Sequence, residues 1–254
     1  MSKKFDLYKQ IKNLLISNKF YVKYPQKIKH DIYEETYYGN KVVDPDGNLR
    51  SLINEREKKI KNNSQLISYL KKIKPGNILD IGCGYGWILS CLNSKWNKFG
   101  IEKSKIASSR ASKYCDILSN DINKLKTNKK FDVILMIHVI EHLKEPEKVL
   151  KKVKKLIKKN GILIIETPDF DSGAARRYKN NFRLLKDPTH VSLFSQDSLT
   201  RMLRINNFQI FEIHYPFFET EYFNKKNFLE ILKKPTRVSP PFYGSVMTFY
   251  CKNV

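Results

Sequence analysis

Asn77-Ile78-Leu79-Asp80-Ile81-Gly82-Cys83-Gly84-Tyr85-Gly86-Trp87 is the stretch that decides the fold. Its apolar run, Ile78-Leu79 with Ile81, reads as a strand buried on both faces, and it ends in glycines at alternate positions, Gly82, Gly84 and Gly86. Trp87, Ile88, Leu89 and Leu92 then repeat at helical spacing. A strand, a tight glycine turn and a helix N-terminus let backbone approach a nucleotide closely. A dinucleotide fingerprint would read Gly-x-Gly-x-x-Gly and receive a pyrophosphate. Here the spacing is Gly-x-Gly-x-Gly, and Asp80 stands before the first glycine. A carboxylate there repels pyrophosphate and suits a cation such as a sulfonium or ammonium group.

Further apolar runs of strand length follow. Lys98-Phe99-Gly100-Ile101-Glu102 reads as a second strand ending in an acid, placed to accept the ribose hydroxyls of an adenosine. Cys115 to Ile122 reads as the third strand and its exit, Phe131 to Ile137 as the fourth, and Gly161 to Pro168 as the fifth. Between the last two, Pro146 to Asn160 carries Val149, Leu150, Val153, Leu156 and Ile157 on one helical face and lysines on the other, with Asn160-Gly161 as the stop. Ser195 opens a later helix as its cap. Phe208 to Tyr215 alternates as a strand, and Val246 to Cys251 closes the sheet.

Asp80 to Gly86 resembles motif I of the class I S-adenosylmethionine-dependent methyltransferases, and the resemblance extends by motif over about residues 75 to 215. It implies an α/β, Rossmann-like fold: a seven-stranded, mostly parallel sheet with an antiparallel last strand lying between its two predecessors, and helices on both faces. It implies S-adenosylmethionine as cofactor and S-adenosylhomocysteine as product. Asp80, Gly82, Cys83, Gly84, Gly86, Glu102 and Ile137 would contact that cofactor, Asp121 would hold the adenine amino group, and Ile122 would pack on the ring.

The organisation expected is an N-terminal helical extension or lid over 1–74, then the methyltransferase domain over 75–254, with substrate-binding lid insertions at 169–194 and 216–241. Phe5 to Phe20 is helix-like, and Tyr21 to Asn48 is aromatic and turn-rich, with Tyr33, Tyr37, Tyr38 and the turn Asp44-Pro45-Asp46-Gly47. Leu52 to Ile73 reads as one long helix.

With 254 residues, 41% of them hydrophobic, the chain can build one substantial core. No apolar run approaches the ~20 residues that span a bilayer, and Met1 to Asp6 lacks the apolar stretch of a signal peptide. Cys83, Cys91, Cys115 and Cys251 make no metal-type or redox pair and are expected as reduced thiols in a cytoplasmic protein with no membrane partner. The net charge of +23 has two competing explanations, a polyanionic partner or coding bias toward lysine; bias is favoured, because only nine of the 48 basic residues are arginines. Lysine pairs such as Lys58-Lys59 read mostly as solvated helix faces. The arginines are the more telling, since guanidinium suits bidentate phosphate recognition. Arg176, Arg177 and Arg183 form the expected anion clamp, with Tyr178 and the aromatics of the second insertion as walls.

Methyl transfer from a sulfonium proceeds in line, so the protein must hold donor and nucleophile together and, for a hydroxyl, remove a proton. His138-Val139-Ile140-Glu141-His142 follows the fourth strand, and a helical turn would put His138, Glu141 and His142 on one face. His190 comes from the insertion after the fifth strand, at the same sheet edge. Three readings are open for this cluster. His142 or His190 acts as general base, which is favoured. The cluster is structural, a residue pattern common in the family. Or it binds a divalent metal, a pattern resembling small-RNA 2′-O-methyltransferases and, less closely, ubiquinone-pathway O-methyltransferases, where His138 departs from the acid of the RNA enzymes; this is the least favoured, and no metal is assigned.

The flanks Asp44 to Arg50, Thr167 to Ser172 and Ser239 to Gly244 look like a subgroup of small-molecule O-methyltransferases in bacterial cell-surface polysaccharide pathways. Within it, the nearest likeness is to enzymes that O-methylate the phosphoramidate decoration of capsules. The acceptor expected is an anionic, nucleotide-linked small molecule, a phosphoramidate or a sugar. The alternative is RNA 2′-O-methylation with steeply salt-sensitive binding; no RNA-binding module is evident, so nucleic acid is disfavoured.

Overall fold

Strands buried on both faces need apolar residues at every position, and the centre of the sheet is built that way. In β1 (Asn77–Ile81), β4 (Phe131–Ile137) and β5 (Ile157–Pro168), alternate residues feed two separate cores. Leu79, Ile134, Met136, Leu163 and Ile165 point to one, where α6 (Pro146–Leu156) and α8 (Gln196–Ile205) pack. Ile78, Val133, Leu135 and Ile164 point to the other, against Leu66, Ile67 and Leu70 of α3 (Ser64–Lys72), Ile88 and Leu89 of α4 (Trp87–Ser90) and Ala111 of α5 (Lys105–Ala111). The computed structural model describes residues 5–17, 19–24, 42–43, 49–50 and 55–254. His30, Tyr33, Tyr37, Tyr38, the turn at 44–47 and the start of the helix expected at Leu52 lie outside them.

β2 (Asn97–Ile101), β3 (Asp116–Ser119), β6 (Phe208–His214) and β7 (Val246–Asn253) complete a seven-stranded sheet in the order β6-β7-β5-β4-β1-β2-β3. β1 through β5 run parallel, and β7 is antiparallel to both β5 and β6 and lies between them. This is the Rossmann-like sheet expected, antiparallel last strand included. The carboxyl ends of the parallel strands therefore share one edge, where α/β sites form.

Several boundaries differ from the sequence reading for identifiable reasons. The helix expected to reach Asn160 ends at Leu156, because Ile157 turns extended and pairs with Phe131. Asn160 takes a left-handed φ of +61° in the irregular stretch before the main ladder begins at Ile162. The long helix ending near Ile73 is two, α2 (Arg56–Asn62) and α3, broken at Asn63. The Asn63 side-chain amide donates to the Lys59 carbonyl at 2.8 Å, competing with the helix ladder. The third strand stops at Ser119, and Asp121 caps a 3-10 turn over Ile122–Lys124.

The N-terminal extension and the first insertion share a core. Leu7, Ile11 and Leu14 of α1 (Leu7–Ile16) pack with Phe170, Phe182, Leu185 and Tyr178 of α7 (Gly173–Tyr178). Val22–Lys23 pairs antiparallel with Ser192–Leu193. Ser195 caps α8 through a reciprocal box with Ser198. The second insertion contains α9 (Lys225–Leu232).

Candidate active site

At the carboxyl edge of the sheet lies a cavity of about 380 Å³. Asp80, Gly82, Cys83 and Gly84 line it from the β1 turn, Ile137 and His138 from the end of β4, and Glu166 from β5. Lys58, Lys59 and Asn62 enter from α2, Arg183 from the first insertion, and Phe217, Tyr222 and Phe242 from the segment before β7. The turn requires its glycines. Gly82, Gly84 and Gly86 adopt φ of +73°, +55° and +73°, and a Cβ on Gly82 would sit 2.6 Å from Val139 Cγ2.

Glu102, at the exit of β2, accepts the Gly84 N–H at 2.8 Å and the Ser104 N–H at 2.9 Å, so it also pins the turn. Asp121 accepts the Asn123 N–H at 2.8 Å, and Ile122 is buried in the core beneath it. Gly86 begins α4 as its cap. Gly86, Glu102, Asp121 and Ile122 are outside the cavity lining and follow the neighbouring strand ends. Asp80 is buried, and that burial pushes its carboxyl up to about 7, with Lys59 pulling it down and Glu102 adding to the rise.

The histidine cluster divides around Glu141. His138 has a left-handed φ of +57°, which turns its ring toward the cavity. Its Nδ1 is 3.2 Å from Glu141 Oε1 and its Nε2 3.2 Å from Glu166 Oε1. Burial disfavours the imidazolium, but the hydrogen bonds to these two carboxylates outweigh it and push His138 up to about 9. Glu141 is fully buried; that opposes its charge, yet His138 and the other two imidazoles hold it down at about 2. Thr167 Oγ1 donates to Glu141 at 3.0 Å, and Thr248 Oγ1 to Glu166 at 2.7 Å.

His142 faces the other way. Its Nδ1 lies 3.1 Å from the Thr189 carbonyl, and its ring centroid is 4.9 Å from that of His190. His190 is buried with Nδ1 against the Leu184 carbonyl, and burial, then the neighbouring His142, lowers its pKa. Glu141, His142 and His190 each offer a ligand atom within 4.8 Å of the others, a set that fits a divalent cation. The turn over 140–142 thus does not stack His138 and His142 on one face, and neither His142 nor His190 lines the cavity.

The arginines also divide. Arg183 lines the cavity, with its guanidinium 5.9 Å from the Tyr222 ring centroid. Arg176 forms a two-pronged bond with Asp171 at 2.7 and 2.9 Å, and Arg177 donates to the Lys233 carbonyl at 2.8 Å at the end of α9. Tyr178 donates to the Glu230 carbonyl at 2.8 Å. Arg177 and Tyr178 thus tie the first insertion to the second and Arg176 braces the first internally, all three outside the cavity lining. Of the expected aromatic walls, Phe217 and Tyr222 line the cavity, whereas Phe218, Phe223 and Phe228 are exposed. Sequence reasoning missed Glu166, although an acid closing an apolar strand is the same signal that singled out Glu102. It also placed Lys58 and Lys59 on a solvated face, and both reach the cavity.

Sheet order, glycine turn and edge cavity together define the S-adenosylmethionine-dependent methyltransferase fold. Residues 53–213 match the family model described as "Methyltransferase domain", and the chain belongs to that family. Among solved structures, a SAM-dependent methyltransferase from Archaeoglobus fulgidus superposes with a TM-score of 0.56 at 20% identity, covering 79% of this chain and 98% of that one. Magnesium protoporphyrin IX methyltransferase from Synechocystis PCC 6803, solved with bound SAH, gives 0.55 at 12% identity, covering 83% and 91%. In sequence, the chain is 33% identical over 139 residues to a ubiquinone biosynthesis O-methyltransferase of Pelagibacter ubique, 49% of this chain and 58% of that protein. It is 26% identical over 135 residues to (S)-tetrahydroprotoberberine N-methyltransferase of Eschscholzia californica, 48% of this chain and 37% of that protein. The chain thus spans about half the length of the curated relatives it matches. Their names point to ubiquinone biosynthesis and to tetrahydroprotoberberine N-methylation, not to surface polysaccharides.

Proposed function

We propose that the protein transfers a methyl group from S-adenosylmethionine to an oxygen of a small anionic acceptor. The observation that carries this is the cavity itself, which the glycine turn with Asp80, His138 and Arg183 line together. The residues fit the cofactor. The turn's left-handed glycines bring backbone to the cavity wall, and Asp80 is a carboxyl whose pKa is raised by burial, so a cation beside it would favour its ionised form. Bound there, the cofactor supplies an electrophilic methyl on a positively charged sulfur, which leaves as a neutral thioether when the C–O bond forms. Asp80 complements the donor's positive charge, and Glu102 and Asp121 are the candidates for the ribose and the adenine.

The acceptor side favours an oxygen that is already ionised. Glu141 and Glu166 hold His138 as an imidazolium and engage both of its ring nitrogens, so it does not take a proton from the acceptor. His142 and His190, the expected bases, stand off the lining. An anionic oxygen needs no base, and Lys59 and Arg183, which line the cavity, supply the counter-charge. Ubiquinone biosynthesis O-methyltransferases among the relatives support oxygen as the atom methylated. A nucleotide-linked phosphoramidate or sugar of surface polysaccharide pathways meets the charge requirement, and that placement rests on the resemblance of the flanks alone.

The test offers labelled methyl donor with a panel of anionic nucleotide conjugates, neutral phenols and RNA, to wild type and Arg183→Ala. Label should pass to an anionic small molecule, with KM raised ~10-fold or more in the variant and cofactor affinity unchanged. Label passing only to RNA or to a neutral hydroxyl contradicts the reading.

A further inference from the structure

The aromatic cluster that walls the cavity continues onto the outer surface. Phe217 and Phe242 line the cavity, and Phe217 contacts Phe218, Phe223 and Tyr243 at ring-centroid distances of 5.5, 5.6 and 6.5 Å. Phe218 is 61% exposed, and Phe223 and Tyr243 also face solvent. α9 follows at once. Phe228, Leu229 and Leu232 share one face of it at helical spacing, and all three are exposed, Leu232 at 66%. The opposite side is fastened to the protein: Ile231 packs on the core of α1 and α7, and Tyr178 and Arg177 bond the carbonyls of Glu230 and Lys233. Single exposed apolar residues are ordinary, but six of them on one 26-residue insertion and its flank mark a contact surface.

The charges around it say what it meets. Lys225, Lys226, Lys234 and Arg237 are exposed beside the apolar face. The acids of the segment are engaged: Glu219 with His214 at 2.7 Å, Glu221 with Lys58 at 3.9 Å, and Glu230 with Lys233 at 2.6 Å. An apolar helix face flanked by lysines suits the interface of an anionic bilayer, where aromatic and aliphatic side chains sink to the headgroup boundary and lysines meet the phosphates. A second copy of this chain is disfavoured, since self-docking would set lysine against lysine. We propose that α9 and the Phe218–Phe223–Tyr243 cluster dock the protein on anionic lipid surfaces, lying in the plane of the membrane. This departs from the expectation of no membrane partner and does not rest on the methyl-transfer reading. Among the described residues, no helix is long and apolar enough to cross a membrane.

Flotation with vesicles of equal parts phosphatidylglycerol and phosphatidylcholine, against pure phosphatidylcholine, tests the proposal. The wild type should float with the anionic vesicles only. The triple variant Phe228→Ser/Leu229→Ser/Leu232→Ser should lose at least ~10-fold in the bound fraction with an unchanged thermal transition. Independently, Phe228→Trp should gain a blue-shifted emission component with anionic vesicles, quenched by brominated lipid. Absence of flotation, equal flotation by the triple variant, or an unshifted Phe228→Trp spectrum would overturn the proposal. So would a protein dimer that the triple substitution dissolves while vesicles are ignored.

Discussion

At the scale of single residues, two groups carry the electrostatics of the site, and both lose their stabilising contribution as pH rises in the ligand-free protein. The His138 pKa is raised from 6.5 to about 9 by Glu141 and Glu166, so its stabilising contribution is complete below 6.5 and lost as pH rises through about 9. Thermal stability should therefore decline between these limits, and His138→Gln should flatten that decline in melting curves taken from pH 6 to 9.5. A parallel decline in the variant would show that another group is responsible. Asp80 is raised from 3.8 to about 7, so in the ligand-free protein its contribution is lost as pH rises through about 7. A cationic ligand reverses this, because it needs the carboxylate ionised. Affinity for S-adenosylmethionine should thus increase from pH 6 to 8, and Asp80→Asn should bind weakly and without that pH dependence; calorimetry across this range reads both. Asp80 and the three glycines were legible in the sequence because φ above zero and buried charge are demands on particular residue types. The split of the histidine cluster was not. It depends on the left-handed φ of His138, which sends one imidazole to the cavity while His142 turns to His190, and no spacing rule encodes that rotation.

At the scale of elements, periodicity located the strands and most helices, and caps set their ends where they were local. Ser195 is such a case, its hydroxyl accepting the Ser198 N–H at 3.2 Å while Ser198 bonds back to the Ser195 N–H at 3.0 Å. Replacing Ser195 with Ala should cost about 1 kcal/mol, lowering Tm by roughly 2–4 °C in a domain of this size. An unchanged Tm would mean that α8 is held by packing alone. The ends set by distant partners were hidden. Ile157 leaves α6 because Phe131 pairs with it, and α7's arginines read as an anion clamp although Asp171 and the α9 carbonyls occupy two of them. Only Arg183, beyond α7, reaches the cavity.

At the scale of the whole molecule, the sheet order and its antiparallel last strand followed from the resemblance of a few motifs, and the structure has them. The joining of the N-terminal extension to the first insertion, through the core of Leu7, Ile11 and Leu14 with Phe170 and Phe182, had no signature in either segment alone. Ile11→Ala should destabilise the protein by about 2–5 kcal/mol, and should loosen both segments together in hydrogen exchange. Loss of protection confined to α1 would contradict a shared core.

The central claim is that the turn from Asp80 to Gly86 binds S-adenosylmethionine. It is tested most directly by calorimetric titration of that cofactor into the wild type and into Asp80→Asn at pH 8. One-site binding in the micromolar range for the wild type, weakened ~10-fold or more in the variant, is the result expected for a charge-assisted contact of this kind. Equal affinity in the two proteins, or no binding to either, would contradict it.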